Sequence, residues 1–123
     1  MEPCHLFVYG TLRHGSKNKF ARLLHAHAQF AGNARISGRL YQLGSYPGAV
    51  SSCQTGEWVR GELYCLQDPS WVLPALDIYE GPDFRRVKLK AQLDLGGRIE
   101  AWVYLCRGTR GRARIPSGDW LRR

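Results

Sequence analysis

The strongest constraint on the fold is a pair of strand-like segments in the C-terminal half of the chain. From Val87 to Leu93 apolar residues alternate strictly with polar ones, and residues 98–106 form a second run rich in apolar side chains. Gly96 and Gly97 lie between the two runs, and adjacent glycines favour a tight turn. The pattern predicts a β-hairpin over 84–106 and commits the chain to a sheet.

The rest of the chain divides into shorter segments, each with its own periodicity. Residues 5–10 are almost continuously apolar, which predicts a buried strand. Asp68 followed by Pro69 is typical of a helix start. The remaining predictions are a helix over 17–28 with Ser16 as its N-cap, two short strands within 28–44, a loop over 45–56, a strand over 58–66 and a second helix that ends at Tyr79 or Glu80.

The order of these elements predicts an α+β fold around a curved sheet. The many glycine breaks would allow that sheet to close as a small barrel. With 123 residues the chain has the length of one domain, which we expect to span 1–123. The closing segment 117–121 predicts a turn that packs Trp120 back onto the body, and periodicity predicts Trp71 and Trp102 as core residues.

Composition excludes several classes of protein. No apolar run approaches the roughly 20 residues of a membrane span. The N-terminal MEPCHLFVYG lacks the basic region and apolar stretch of a secretory signal. We therefore expect a cytoplasmic protein without a membrane segment, and a monomer.

Metal-binding patterns do not occur in the sequence. The four cysteines are far apart and form no C-x-x-C motif. His25 and His27 are two residues apart, which places them on different faces of a helix. We therefore expect no metal site; the four cysteines are Cys4, Cys53, Cys65 and Cys106.

The formal net charge of +8 is compatible with nucleic acid, an anionic surface or an acidic small molecule as partner. A basic barrel with stacking aromatics that binds single-stranded nucleic acid is one alternative. No RNA- or DNA-binding signature accompanies the charge, so we do not expect nucleic acid as a partner. The aromatic residues that support this alternative are Trp58, Trp71, Trp102 and Trp120.

The first strand runs directly into Tyr9-Gly10-Thr11-Leu12 without a polar linker. One interpretation is a bulge or bend in the strand, which is the usual meaning of a single glycine in such a run. The other is a turn whose backbone N–H groups hold an anionic ligand, with Gly10 leaving room for the ligand. The stretch alone leaves both interpretations open.

A carboxylate at the end of the second predicted helix forms another candidate site. Glu80 precedes Gly81-Pro82, so it lies at the negative end of the helix dipole. Crowding by Tyr79 and Phe84 would add desolvation, and both effects raise a carboxyl pKa towards that of a general base. The alternative is an exposed glutamate paired with Arg85 or Arg86.

Taken together, these motifs resemble the gamma-glutamylcyclotransferase-like family. They are Tyr9–Leu12 after the first strand, Leu76-Asp77-x-Tyr79-Glu80-Gly81, and the aromatic-x-Arg motif of Phe84 and Arg86. The resemblance spans almost the whole chain. Residues 43–50 and 117–120 are similar to the short bacterial branch of this family, which implies a preference for γ-glutamyl amines. The resemblance implies a small mixed β-barrel flanked by short helices.

The resemblance also implies a reaction. The α-amine of a γ-glutamyl amine or peptide attacks its own γ-carbonyl, which releases 5-oxoproline and an amine without a cofactor. Glu80 matches the catalytic acid of the family and is expected to act as base and then as acid. The turn residues Tyr9, Gly10, Thr11 and Leu12 are expected to bind the substrate, as are Tyr46 and Phe84.

One position departs from the family pattern. The family commonly has tyrosine where this chain has Phe84, so a hydroxyl that could bond the substrate is absent. This departure motivates an alternative, a non-catalytic module on the same fold that binds a small molecule.

Overall fold

The computed structural model describes residues 2–123 and contains seven strands, two α-helices and one short 3₁₀ helix. Most of the strands belong to one continuous sheet. In chain order the elements are β1 (His5–Val8), α1 (Lys19–Ala26), β2 (Ala28–Gln42), β3 (Pro47–Ser51), β4 (Trp58–Leu66), α2 (Pro69–Glu80), β5 (Phe84–Leu93), β6 (Arg98–Cys106), β7 (Ala113–Ile115) and the 3₁₀ helix (Trp120–Arg122).

The sheet closes into a five-stranded barrel. Its strands follow the order β2-β4-β1-β6-β5, and β5 pairs again with β2 to complete the ring. All neighbours are antiparallel except β1 and β6, which are parallel. The predicted α+β class, a small mixed barrel with flanking short helices, is therefore confirmed.

The predicted hairpin forms the longest regular ladder of the barrel wall. β5 and β6 pair from Phe84 opposite Cys106 to Gln92 opposite Arg98. Gly96 and Gly97 have φ values of 107° and 91°, which side chains rarely adopt. The glycine pair therefore makes the turn, as the sequence predicted.

β1 lies between β4 and β6 in the ring, and both of its faces are buried. Phe7 and Tyr9 point into the barrel interior, whereas Leu6 and Val8 pack in the layer between the barrel and the helices. A strand with both faces covered reads as a continuous apolar run rather than an alternating one. The prediction of a buried first strand is confirmed.

The prediction of two short strands within 28–44 is wrong, because β2 is one strand of 15 residues. Its register shifts between Phe30 and Gly32, where Gly32 has a φ of 144°. Gly38 does not break the strand; a Cβ there would come within 2.6 Å of the Val50 carbonyl oxygen. The glycine instead allows the next strand to approach closely.

The predicted loop over 45–56 contains β3, so that prediction is also wrong. β3 pairs with β2 from Gly38 opposite Ser51 to Gln42 opposite Pro47. Proline is tolerated at the first position of a strand, which made the segment look like a turn. β7 lies on the other side of the same half of β2. The second half of β2 therefore extends beyond the barrel as the centre of a small three-stranded sheet.

Both helices pack against one side of the barrel, but their ends differ from the prediction. α1 is capped by Asn18, which accepts from Ala21 N at 2.8 Å, and not by Ser16. Asp68 makes no side-chain cap, although Pro69 does open α2. Neither helix of residues 2–123 has the length and apolar character needed to cross a bilayer.

The tryptophans follow their predictions only in part. Trp120 is 7% exposed and packs with the barrel core, which confirms that the closing segment folds back. Trp102 is partly buried against the layer beneath the helices. Trp71 is 54% exposed, so its assignment to the core is wrong. It makes an edge-to-face contact with His27, the C-cap of α1, with 4.8 Å between ring centroids.

The interior of the barrel leaves no room for a side chain at Gly61 on β4. A Cβ there would meet the Val8 carbonyl oxygen and would come within 2.6 Å of Phe7 Cζ. We expect Gly61→Ala to lower the free energy of unfolding by about 1–3 kcal/mol in urea titrations, because overpacking displaces the Phe7 ring or β1. Gly108→Ala is the control, since a Cβ there meets no atom within 4 Å. Equal stability of the two variants would contradict this picture of the core.

Candidate functional site

A cavity of about 350 Å³ opens where β1 ends, next to the end of α2 and the start of β3. This volume lies within the range of small-molecule sites. All seven sequence-predicted site residues line it: Tyr9, Gly10, Thr11, Leu12, Tyr46, Glu80 and Phe84. The other lining residues were not predicted as site residues, although Tyr79 was expected to crowd Glu80; they are Phe7, Val8, Ser45, Pro47, Tyr79 and Tyr104.

The segment after β1 forms a turn, here called the donor turn (residues 10–13), closed by Arg13 N donating to Gly10 O at 3.1 Å. Asn18 Nδ2 donates to Thr11 O at 2.6 Å, and His25 Nε2 lies 2.9 Å from Leu12 O. The carbonyls are thus occupied. Within residues 2–123 the N–H groups of Gly10, Thr11 and Leu12 find no protein acceptor. The donor turn offers hydrogen-bond donors next to the cavity.

The close approach of Pro47 requires a glycine at position 10. A Cβ on residue 10 would come within 2.5 Å of Pro47 Cγ and 2.9 Å of Pro47 Cδ. The strand ladder of β1 with β4 ends at Val8, so Gly10 is not a bulge in that ladder. A glycine at this position therefore has a packing reason: it lets β3 approach the donor turn. The interpretation that Gly10 also leaves room for a ligand stays a prediction.

Tyr9 connects three elements around the cavity through its hydroxyl group. The phenol donates to Tyr104 O at 2.5 Å and accepts from Ala49 N at 3.1 Å. Burial raises the pKa of Tyr9 well above its usual value, so the phenol stays protonated. Its hydroxyl therefore fixes β6 and β3 relative to the end of β1, and its ring forms part of the cavity wall.

Thr11 links the donor turn to α2. Its Oγ1 lies 2.7 Å from the hydroxyl of Tyr79, whose ring stacks on Phe20 of α1 at 4.6 Å between centroids. Tyr79 immediately precedes Glu80, so this hydrogen bond sets the position of the helix end relative to the turn.

Glu80 is the last residue of α2, and its side chain lines the cavity. Gly81, with a φ of 79°, ends the helix there. Burial raises the pKa of Glu80 to about 7, and no hydrogen bond or nearby cation within residues 2–123 opposes this effect. A carboxyl group with this pKa exchanges a proton readily near neutral pH.

The alternative of an exposed Glu80 paired with Arg85 or Arg86 is wrong: Glu80 is desolvated and no cation of the described residues acts on it, and Arg86 binds Asp77 instead. Its Nε and Nη2 donate to the two carboxylate oxygens of Asp77 at 2.8 and 3.1 Å. Tyr104 donates to the same carboxylate at 2.6 Å. Burial favours a higher pKa for Asp77, but these hydrogen bonds and the charge of Arg86 hold the pKa below its usual value. The two acids on α2 thus have opposite environments.

Aromatic rings form the other wall of the cavity. Phe84 is 8% exposed, and its ring centroid lies 6.1 Å from that of Tyr46, which is 38% exposed. Tyr46 belongs to a turn in which Leu43 N donates to Tyr46 O at 2.8 Å. Phe84 therefore forms the deeper part of this wall and Tyr46 its outer part.

Tyr104 and Ser45 were not predicted as site residues, because strand pairings distant in the sequence bring them to the cavity. Tyr104 faces the cavity because β6 runs parallel to β1, and no local pattern in the sequence reveals that pairing. Ser45 and Pro47 reach the cavity because β3 pairs with β2. No group of three or more His, Cys, Asp or Glu residues in the described chain is placed to hold a metal ion.

Several known proteins are similar to this chain in fold and in sequence. YkqA from Bacillus subtilis matches with a TM-score of 0.77 and 28% identity over 97% of this chain, which spans 40% of YkqA. An AIG2-like protein from Mus musculus matches with a TM-score of 0.69 and 29% identity, over 87% of this chain and 79% of the mouse chain.

Sequence relatives agree with the structural ones. The Escherichia coli K12 protein named gamma-glutamylcyclotransferase family protein YtfP is 36% identical over 120 residues, covering 96% of each chain. Residues 6–122 match the family described as "Gamma-glutamyl cyclotransferase, AIG2-like". Because this match spans nearly all of the sequence, the chain belongs to the gamma-glutamyl cyclotransferase, AIG2-like family of enzymes, as its motifs predicted.

Proposed function

We propose that this protein converts a γ-glutamyl amine or peptide into 5-oxoproline and a free amine, with Glu80 as the catalytic base. The observation that carries the proposal is the setting of Glu80. Its carboxyl group lines the cavity, has no protein partner within residues 2–123, and has a pKa raised to about 7 by burial. The family membership of the chain supports the same reaction class.

The proposed reaction moves two protons from the α-nitrogen to the leaving nitrogen. The α-ammonium of the substrate gives the first proton to the Glu80 carboxylate, and the resulting amine attacks the γ-carbonyl carbon. As the bond to the leaving nitrogen breaks, protonated Glu80 gives its proton to that nitrogen, and the regenerated carboxylate takes the second proton from the ring nitrogen and passes it to the released amine. With a pKa of about 7, the Glu80 carboxyl group can be ionised before the attack and can give up the proton again near neutral pH.

Ring closure is intramolecular, so the protein must mainly hold the substrate in a folded conformation. We assign the substrate carboxylate to the free N–H groups of Gly10, Thr11 and Leu12, since backbone donors in a turn bind anions well. Phe84 and Tyr46 would pack against the methylene groups of the glutamyl moiety. In this arrangement the α-amine can face Glu80.

A second candidate is a binding module without turnover, and Phe84 supports it. The family commonly has tyrosine here, and a phenylalanine ring offers no hydrogen bond to the substrate. Thermal stabilisation by γ-glutamyl compounds without release of 5-oxoproline would favour this candidate over the enzyme.

Glu80→Gln tests the catalytic assignment. We expect it to lower kcat for 5-oxoproline release by at least about 10²–10⁴-fold, because the amide cannot accept the substrate proton. Since the base must be ionised, kcat/KM of the wild type should rise as pH increases through about 7. Mass spectrometry of 5-oxoproline provides both measurements.

Glu100→Gln is the matched control, because Glu100 is an exposed residue of β6 outside the cavity. It should turn over substrate at the wild-type rate. Retention of activity in Glu80→Gln, with 5-oxoproline as the product, would remove Glu80 from the mechanism.

The charge of the cavity-lining residues predicts which charge is preferred on the leaving group. Glu80 is the only charged side chain that lines the cavity, and no Lys, Arg or His lines it within residues 2–123. A second carboxylate on the substrate, as in a γ-glutamyl dipeptide, would therefore meet a like charge without a compensating cation. A neutral leaving amine avoids this repulsion.

γ-Glutamylglycinamide and γ-glutamylglycine form a matched pair of substrates that differ in this charge. We expect kcat/KM for the glycinamide to exceed that for the glycine compound by at least about tenfold, because like charges in a confined site repel strongly. Competition assays with both substrates in one reaction give the ratio directly. A preference for γ-glutamylglycine would contradict the charge argument.

A further inference from the structure

Arg13 closes the donor turn with its backbone, while its side chain is buried outside the cavity. The side chain is 9% exposed and lies between two carboxylates. Its Nε is 3.3 Å from Glu62 Oε2, and its Nη1 donates to Asp119 Oδ1 at 2.9 Å. Arg13 itself does not line the cavity.

The two carboxylates belong to elements far apart in the sequence. Glu62 lies on β4, and its other oxygen accepts from His14 N at 2.7 Å and from the Tyr64 hydroxyl at 2.9 Å. Glu62 therefore holds the chain immediately after the donor turn through both a backbone and a side-chain contact. The barrel wall fixes one end of the turn in this way.

Asp119 connects the same turn to the end of the chain. The carboxylate accepts from Leu121 N at 3.0 Å as well as from Arg13, so it also caps the 3₁₀ helix that carries Trp120. Trp120 is packed with the barrel core. The C-terminal segment therefore has a fixed position from which Asp119 can orient the guanidinium.

We infer that Arg13 is a positioning residue for the cavity: through Glu62 and Asp119 it holds the donor turn so that its free N–H groups face the bound carboxylate. The identity of the bound ligand rests on the proposed function, but the contacts through which Arg13 holds the donor turn exist in the free protein. A planar guanidinium suits this role because it can bind two carboxylates in fixed directions, which a lysine cannot do. The C-terminal segment is thereby a support of the site.

Asp119→Ala is the main test, because Glu62 still balances the charge of Arg13 and the fold should survive. We expect KM for a γ-glutamyl amine to rise at least about tenfold, since a small displacement of positioning groups weakens binding strongly. The value of kcat should change less than KM, and the pH midpoint of kcat should remain, because Glu80 is intact. Asp119→Asn keeps an acceptor oxygen and should restore most of the affinity.

Asp94→Ala is the matched control. Asp94 accepts from Arg60 Nη2 at 2.6 Å in a half-exposed ion pair that does not touch the donor turn. This variant should leave KM unchanged. A purely structural role of Asp119 would lower the melting temperature without raising KM, and that result would overturn the inference.

Hydrogen exchange of the peptide 10–16 separates this inference from the proposed function. In the free protein, Asp119→Ala should speed exchange in this peptide, and Asp94→Ala should not. If the wild type releases no 5-oxoproline, the proposed function fails while the exchange result still decides whether Asp119 holds the turn. Unchanged exchange in Asp119→Ala would overturn the inference whatever the activity. Arg13→Lys provides a second variant that keeps the charge, and it should also speed exchange.

Discussion

The site depends on the placement of β1 between β4 and β6, where both faces of the strand are buried. Burial on the barrel side places the Tyr9 hydroxyl where it contacts the backbone of β6 and β3. The strand then ends where the donor turn, the end of α2 and the start of β3 meet around one cavity. A strand with one face exposed to solvent could end at the same place without holding the three surrounding elements in position.

The same packing gives two acids on one helix different chemistry. Asp77 satisfies its charge with Arg86 and Tyr104, so it remains ionised and structural. Glu80, three residues later, is desolvated without a partner in the described chain. Leaving a buried carboxyl group unpaired disfavours its charged form, and this unfavourable setting is what supports the proposal that Glu80 acts as a base. Under that proposal, stability and activity place opposite demands on this position.

Local patterns in the sequence predicted the features that depend on a few neighbouring residues. The Gly96-Gly97 turn, the buried first strand and the position of Glu80 at a helix end follow from periodicity and glycine placement. The pairing of β3 with β2 could not be predicted, because Pro47 and Gly48 resemble a turn until the partner strand is known. Likewise, Arg13 and Asp119 are 106 residues apart, and no local pattern indicates that they form an ion pair. The resemblance to a family identified the cavity residues that periodicity alone left open.

The proposed mechanism requires Glu80 to be an unpaired, desolvated carboxyl group that exchanges a proton near neutral pH. The most direct test is a carbon-13 NMR titration of the Glu80 side-chain carboxyl, assigned by its loss in Glu80→Gln. A midpoint near 7 is expected in the free protein, and a lower midpoint when a γ-glutamyl amine places its ammonium beside the carboxylate. A midpoint near the ordinary value of 4.5, unchanged by the ligand, would contradict the account.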